Sequence, residues 1–231
     1  MKTIGENGDL QKVLDEIWAA QERCIRERPY LLEQYRAREA KRAEEEKYKP
    51  YDSCGIPRAI AEVMINRKDE HGRRIKGCRL MDDLKSALSE GKRLIILSGI
   101  VGTGKTLTAC FWLLKQYDGL YVKSRSICSL SDHQIEDRVE LKKYATTNSL
   151  VIDEVTMTDD RDRKRIESIL HDRCDDNRLI TVVCMHAAPK DASKILGDHL
   201  ARRVAAYGKL IIAQEILCPG ELRRRKQDKA K

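Results

Sequence analysis

Five short apolar runs punctuate the second half of the chain, at 93–98 (RLIILS), 119–124 (GLYVKS), 149–153 (SLVID), 179–185 (LITVVCM) and 209–213 (KLIIA). The intervening stretches, 104–117, 127–144, 159–176 and 191–207, read as helices. A strand that is apolar at nearly every residue is covered on both faces, and strands that alternate with helices pair in parallel. The pattern therefore predicts an α/β fold with a five-stranded parallel sheet between helices.

The first half reads differently. Asp9 can cap a helix whose apolar positions, Leu10, Val13, Leu14, Ile17, Trp18, Cys24 and Ile25, follow the three-four spacing of an amphipathic face. Pro29 interrupts it, and residues 30–49 form a second helix that starts apolar at Leu31, Leu32 and Tyr35 and becomes almost wholly charged. So small a unit cannot bury its whole apolar face internally. That face packs on the second helix, on the main domain or on a partner. Pro50, Gly55 and Pro57 place a boundary near residue 50. A turn at 69–74 (DEHGRR) and a short helix at 81–90 ending on Gly91 then lead into the first strand. The chain divides into a helical partner-binding segment (1–50), a basic linker with an entry helix (51–92), a core (93–215) and a basic tail (216–231).

Composition narrows the setting. Of the 231 residues 41% are hydrophobic, but no window approaches 18 consecutive apolar residues, so no membrane helix is expected. The first residues lack the apolar stretch of a secretory signal, which predicts a cytoplasmic protein. Eight cysteines occur without one CxxC pair, which argues against a structural zinc site. Cys110, Cys128 and Cys184 sit in or beside apolar elements and read as buried free thiols, suited to a reducing compartment. The net charge of +8 is uneven: residues 1–50 sum to zero, 51–93 to +3, 94–200 to −1 and 201–231 to +6. A basic tail fits either a nucleic-acid contact or a solubilising end.

The chemistry concentrates after the first strand. Gly99-Ile100-Val101-Gly102-Thr103-Gly104-Lys105-Thr106 fits GxxxxGK[ST] between a strand and a helix. Glycines there let backbone N–H groups wrap a phosphate chain at a helix N-terminus, with Leu107 in the same turn. Lys105 would reach the β- and γ-phosphates of ATP, and the Thr106 hydroxyl would sit on Mg²⁺. The third run places Asp153 and Glu154 at a strand's C-terminal edge. Asp153 suits Mg²⁺, commonly through water, and Glu154 suits a general base for an attacking water, which argues for hydrolysis over transfer.

With these residues in view the chain resembles AAA+ ATPases of the DnaC/IstB type, bacterial and phage helicase loaders and related transposition helpers. "GIVGTGKT", "LVIDE", "ILHDRCDDNRLITVV", "ILGDHLARRV" and "PGELRR" fall in that family's order across about residues 93–225. The resemblance implies that Arg203 reaches a neighbouring subunit's γ-phosphate, with Arg202 as the fallback. It implies that Arg223 is the sensor 2 arginine contacting the nucleotide in cis, with Arg224 competing. Arg173 and Arg178 match basic positions of unassigned role. His186 stands where the family usually has Asn, so it either substitutes in placing water or marks a site of slow hydrolysis. Cys184 and His186 alone do not make a metal site.

The function implied is an ATP-dependent loader that binds a replicative hexameric helicase through residues 1–50, places it on single-stranded DNA during replication, and assembles as an ATP-dependent homo-oligomer. Lys123 and Arg125 are candidates for the DNA path. An IstB-like helper of a transposase, acting on duplex DNA, shares the same ATPase residues. A small-molecule kinase and a non-hydrolysing adaptor are the readings from other classes.

Overall fold

A computed structural model describes residues 6–27, 29–68, 75, 79–156, 160–187 and 189–213. The chain divides into two units, residues 1–49 and 50–231. In the first, α1 (Glu6–Glu27) and α2 (Pro29–Ser53) meet at Pro29, which opens the second helix. Proline is tolerated there because its missing N–H has no intrahelical partner at a first position. Val13, Leu14, Ile17 and Trp18 of α1 are exposed, Trp18 at 65%, so much of the apolar face read from the sequence points to solvent. The units divide at residues 49 and 50, near the boundary expected there, although α2 itself runs past its expected end at 49 and through Pro50 to Ser53. Only the last turn lies beyond it, and the Ser53 hydroxyl donates to the Pro50 carbonyl there (2.9 Å).

The second unit adds α3 (Arg58–Asn66), which the charge-rich linker had concealed, and α4 (Arg79–Ser89). Then follow β1 (Leu94–Ser98), α5 (Lys105–Leu113), β2 (Gly119–Lys123), α6 (Ser124–Ser129), α7 (Ile135–Thr146), β3 (Ser149–Val155), α8 (Asp160–Asp175), β4 (Ile180–Met185), α9 (Pro189–Tyr207) and β5 (Gly208–Ile212). Each strand falls within about two residues of its expected bounds. The single helix expected at 127–144 is two, because the backbone of 130–134 is held by local polar bonds: Ser131 N–H donates to Asp137 Oδ2 (2.7 Å) and His133 N–H to Ser131 Oγ (3.2 Å). α9 is kinked at Gly197, whose φ of 69° no helix interior adopts.

All four strand pairings are parallel, in the order β2-β3-β4-β1-β5. Alternate strand residues face two separate cores. Ile95, Leu97, Val151 and Val182 pack with α3, α4 and α5, while Leu94, Ile96, Ile152 and Val183 pack with α6 to α9. The chain turns back between β1 and β4, the place where an open parallel sheet leaves a crevice at its C-terminal edge.

Below that edge, Arg173 of α8 is buried at 1% exposure. It donates to Thr181 Oγ1 (2.7 Å) and to the carbonyls of Thr147 (2.6 Å), Tyr144 (2.8 Å) and Ile180 (2.8 Å). One side chain thus closes the end of α7 and the entries to β3 and β4. Of the cysteines read as buried thiols, Cys110 and Cys184 are buried and Cys128 is half-buried; all three are free. Among the described residues no helix is long and apolar enough to cross a membrane.

Candidate functional site

The site is built where β1 hands over to α5. A Cβ on Gly99 would stand 2.6 Å from the Ala213 carbonyl oxygen, so only glycine lets the loop leave β1 beside the end of β5. Ala213 N–H donates to Ser98 O (2.7 Å) and fixes that junction. Gly104, at φ 79°, supplies the left-handed residue that turns the loop into α5.

Lys105, the first residue of α5, is buried beneath this loop at 9% exposure. Its ammonium donates to the carbonyls of Gly99 (2.8 Å) and Ile100 (2.7 Å) and to Thr103 Oγ1 (3.2 Å). Burial pushes the Lys105 pKa below the ordinary lysine value, opposed by the nearby Asp153 carboxylate. A phosphate in the loop would favour the ammonium and oppose that shift.

Asp153 is buried at the end of β3 with both carboxylate oxygens engaged. The Thr106 hydroxyl donates to Oδ1 (3.1 Å) and the Tyr121 hydroxyl to Oδ2 (2.8 Å). Tyr121 is pushed well above the ordinary tyrosine range by burial and by the Asp153 charge, so it stays a protonated donor. A hydroxyl and a carboxylate side by side form a hard-oxygen set that fits Mg²⁺.

Glu154 follows at a register shift between Ile152 and Val155, with φ 58°. The irregularity turns its side chain outward, where Lys123 Nζ meets Oε1 at 2.8 Å. Ser124 Oγ donates to the Glu154 carbonyl (2.9 Å), so the last residue of β2 and the first of α6 both hold this one. Non-glycine residues at positive φ are uncommon and concentrate at functional sites.

A pocket of about 310 Å³ collects nine of the residues expected from sequence: Val101, Gly102, Gly104, Lys105, Thr106, Leu107, Asp153, Glu154 and the exposed His186. Ile75, Cys184 and Met185 complete its walls. Gly99 and Thr103 shape the loop without lining the pocket.

Arg203 is elsewhere, on α9, where Nη1 stands 3.3 Å from Asp175 Oδ1. His171 Nδ1 contacts the other oxygen of Asp175 (3.3 Å). Arg202 is exposed on the same helix. Arg223 and Arg224 lie outside the described residues, as does the turn expected at 69–74. Lys123, expected to line a DNA path, is occupied by Glu154, while Arg125 is exposed.

Sequence reasoning passed over two features. Tyr121 read as a core residue of an apolar strand, with nothing in its spacing to mark its hydroxyl. The run 161–165 (RDRKR) lies within the helix expected at 159–176, with nothing in its spacing to assign it a role, yet Arg161, Lys164, Arg165 and Lys142 rim a groove of about 740 Å³ between α7 and α8. Leu141, Ala145 and Ile169 form its apolar part, and Asp132 and Asp172 its acids.

No protein-family model matches the sequence, and no curated protein matches it. Solved structures do. A structure of the DnaC helicase loader shares 17% identity at a TM-score of 0.50, over 65% of this chain and 98% of that one. A DNA replication initiation factor shares 17% identity (TM-score 0.46; 64% of this chain, 49% of that one). AMPPCP-bound DnaA from Aquifex aeolicus shares 20% identity (TM-score 0.47; 61% of this chain, 48% of that one). The chain spans about half the length of the last two. With its five-stranded parallel sheet and the loop after β1, the chain shares the fold of the DnaC helicase loader.

Proposed function

We propose that the protein is an ATP-dependent helicase loader, which binds a replicative hexameric helicase through residues 1–50 and places it on single-stranded DNA. The observation that carries the reading is the convergence of Lys105, Thr106, Asp153 and Glu154 on one pocket in a fold matched by a helicase loader over 98% of that loader's chain.

In this reading ATP occupies the loop of residues 99–106. Lys105 exchanges its carbonyl partners for the β- and γ-phosphates, and the helix N-terminus adds favourable partial charge. Thr106 and Asp153 hold Mg²⁺, which when bound neutralises charge on the phosphates. Glu154, once released from Lys123, takes a proton from the attacking water, and His186 at the pocket edge orients that water. Arg203 of a neighbouring subunit stabilises charge on the transferring group, which requires it to leave Asp175. Arg223 contacts the nucleotide in cis. ATP favours assembly of neighbouring subunits, and hydrolysis releases them.

The exposed apolar face of α1 supports a partner role for the N-terminal segment, since large apolar side chains grouped on one helix face mark an interaction surface. The cationic rim of the α7–α8 groove supports contact with DNA phosphates, giving salt-sensitive and largely sequence-independent affinity.

The test is fluorescence anisotropy of labelled single-stranded and duplex DNA, with and without ATP-Mg²⁺, using wild type and Lys105→Ala. ATP-dependent binding that favours single strands and is lost in Lys105→Ala supports the loader. A double Ile17→Ser, Trp18→Ser variant should then lose capture of the helicase while keeping ATP and DNA binding. Preference for duplex transfers the assignment to a transposase helper, and no DNA binding in either state overturns both.

A further inference from the structure

The geometry points to Tyr121 as a positioning residue for the metal-binding carboxylate, one that sets how tightly the Mg²⁺ of a Mg·ATP complex is held. The inference rests on the nucleotide reading of the pocket and adds to it a residue outside the P-loop and the β3 acids.

Sheet register explains how Tyr121 reaches. Tyr121 of β2 pairs directly with Val151 of β3, and Asp153 lies two residues further along β3 on the same face. That is the diagonal cross-strand relation, at a separation which only long or aromatic side chains span. The Tyr121 hydroxyl spans it, meeting Asp153 Oδ2 at 2.8 Å. Tyr121 is 5% exposed and belongs to the same buried cluster as Val151, Ala109 and Cys110, so its ring has little freedom to swing away.

The two donors on Asp153 are not equivalent. Thr106 stands on the P-loop helix and its hydroxyl would be taken by the metal, which frees Oδ1. Tyr121 stands on the sheet, away from the loop, and keeps Oδ2. The carboxylate is thereby held in one rotation, with Oδ1 turned toward Thr106 and the pocket. A hydrogen bond from outside the metal's own ligands commonly governs ligand orientation in this way, and its loss typically costs about 10- to 100-fold in metal affinity.

The experiment is Mg²⁺ titration of mant-ATP binding by full-length wild type and Tyr121→Phe, followed by nucleotide fluorescence, with Mn²⁺ affinity in the presence of ATP read separately by electron paramagnetic resonance. Tyr121→Phe should shift the Mg²⁺ midpoint and the Mn²⁺ dissociation constant upward by about 10-fold, with mant-ATP affinity at saturating Mg²⁺ unchanged. A loss of nucleotide affinity that excess Mg²⁺ does not restore identifies a purely structural role and overturns the inference. Unshifted midpoints overturn it too, while leaving the nucleotide reading intact. If wild type itself binds mant-ATP without regard to Mg²⁺, the reading on which the inference rests is overturned as well. Should Tyr121→Phe fold poorly, Tyr121→His keeps a ring with a hydrogen-bond donor and should recover part of the wild-type midpoint; a midpoint no better than one measured for Tyr121→Leu counts against the inference.

Discussion

Replacing Arg173 by Met should lower stability through the loss of a buried hydrogen-bond cluster, by about as much as emptying a large apolar core position. The guanidinium makes four short donations, to one hydroxyl and three carbonyls, at 2.6 to 2.8 Å. Among the described residues no carboxylate pairs with it at ion-pair distance, and burial pulls its pKa down to about 10. Met fills much of the same volume but donates nothing, so the four acceptors lose their partner together. A buried polar group stripped of its partner costs about 1–3 kcal/mol, which places the gross loss at about 4–12 kcal/mol. Relief of the desolvated cation and entry of water offset a large share, since removing one member of a buried charged arrangement typically costs about 3–5 kcal/mol in total. For a domain of this size that corresponds to a fall in melting temperature of about 6–20 °C. Thermal unfolding of the full chain, followed by far-ultraviolet circular dichroism, measures it. Arg173→Lys should fall between, because an ammonium has three donors where the guanidinium has five. Nucleotide affinity at 20 °C should be unchanged, since Arg173 closes the strand entries and the P-loop lies at their exits. A melting temperature within 2 °C of wild type for Arg173→Met would refute the assignment of these bonds as a structural clamp.

Three further outcomes follow from the same geometry. Gly99→Ala brings a Cβ to 2.6 Å from Ala213 O, against backbone that cannot rotate away, so it should lower stability by about 1–3 kcal/mol and weaken mant-ATP binding; chemical denaturation and nucleotide titration read the two effects. Lys123→Met frees the Glu154 carboxylate and should raise basal ATP turnover severalfold at unchanged ATP affinity, whereas Glu154→Gln should abolish turnover and leave binding intact, both measured by phosphate release. Asp176 is drawn down to about 2 by hydrogen bonds from the Arg178 side chain and backbone, so its contribution to the turn before β4 should be complete above its ordinary value near 3.8 and be lost only as pH falls toward 2; an NMR titration of that carboxyl checks the midpoint.

Arg173 also shows where sequence reading stops. Acids at 172, 175 and 176 stand close to it in the chain, and the family resemblance marked a basic residue there, but neither says whether such a residue faces solvent or closes a sheet. That is decided by the distances to Thr147 and Ile180, residues far along the chain or in another element. The strands were legible because burial on both faces leaves a continuous apolar run that polar contacts cannot imitate. The P-loop was legible because glycine, lysine and threonine at fixed offsets answer local geometric demands. The break between α6 and α7 was not, because two hydrogen bonds around Ser131 outweighed a helical spacing that otherwise continues. Tyr121 was hidden for the same reason as Arg173: its ring obeys the strand pattern, and its hydroxyl acts across to a neighbouring strand. The groove between α7 and α8 needs both helices placed before its cations become neighbours.

The bonds that Lys105 makes to its own loop have a consequence for measuring nucleotide binding. Three oxygen acceptors already satisfy the ammonium, so an arriving phosphate exchanges one set of partners for another. The heat released on binding is then a difference between two sets of similar contacts, and calorimetry should report a modest enthalpy even where affinity is high. The same wiring makes Lys105→Ala a double lesion, because it removes the contact to phosphate and the internal strut that shapes the loop around Gly99 and Ile100. A thermal shift for that variant without any nucleotide would measure the strut alone, and subtracting it is what turns a lost binding signal into a statement about phosphate recognition.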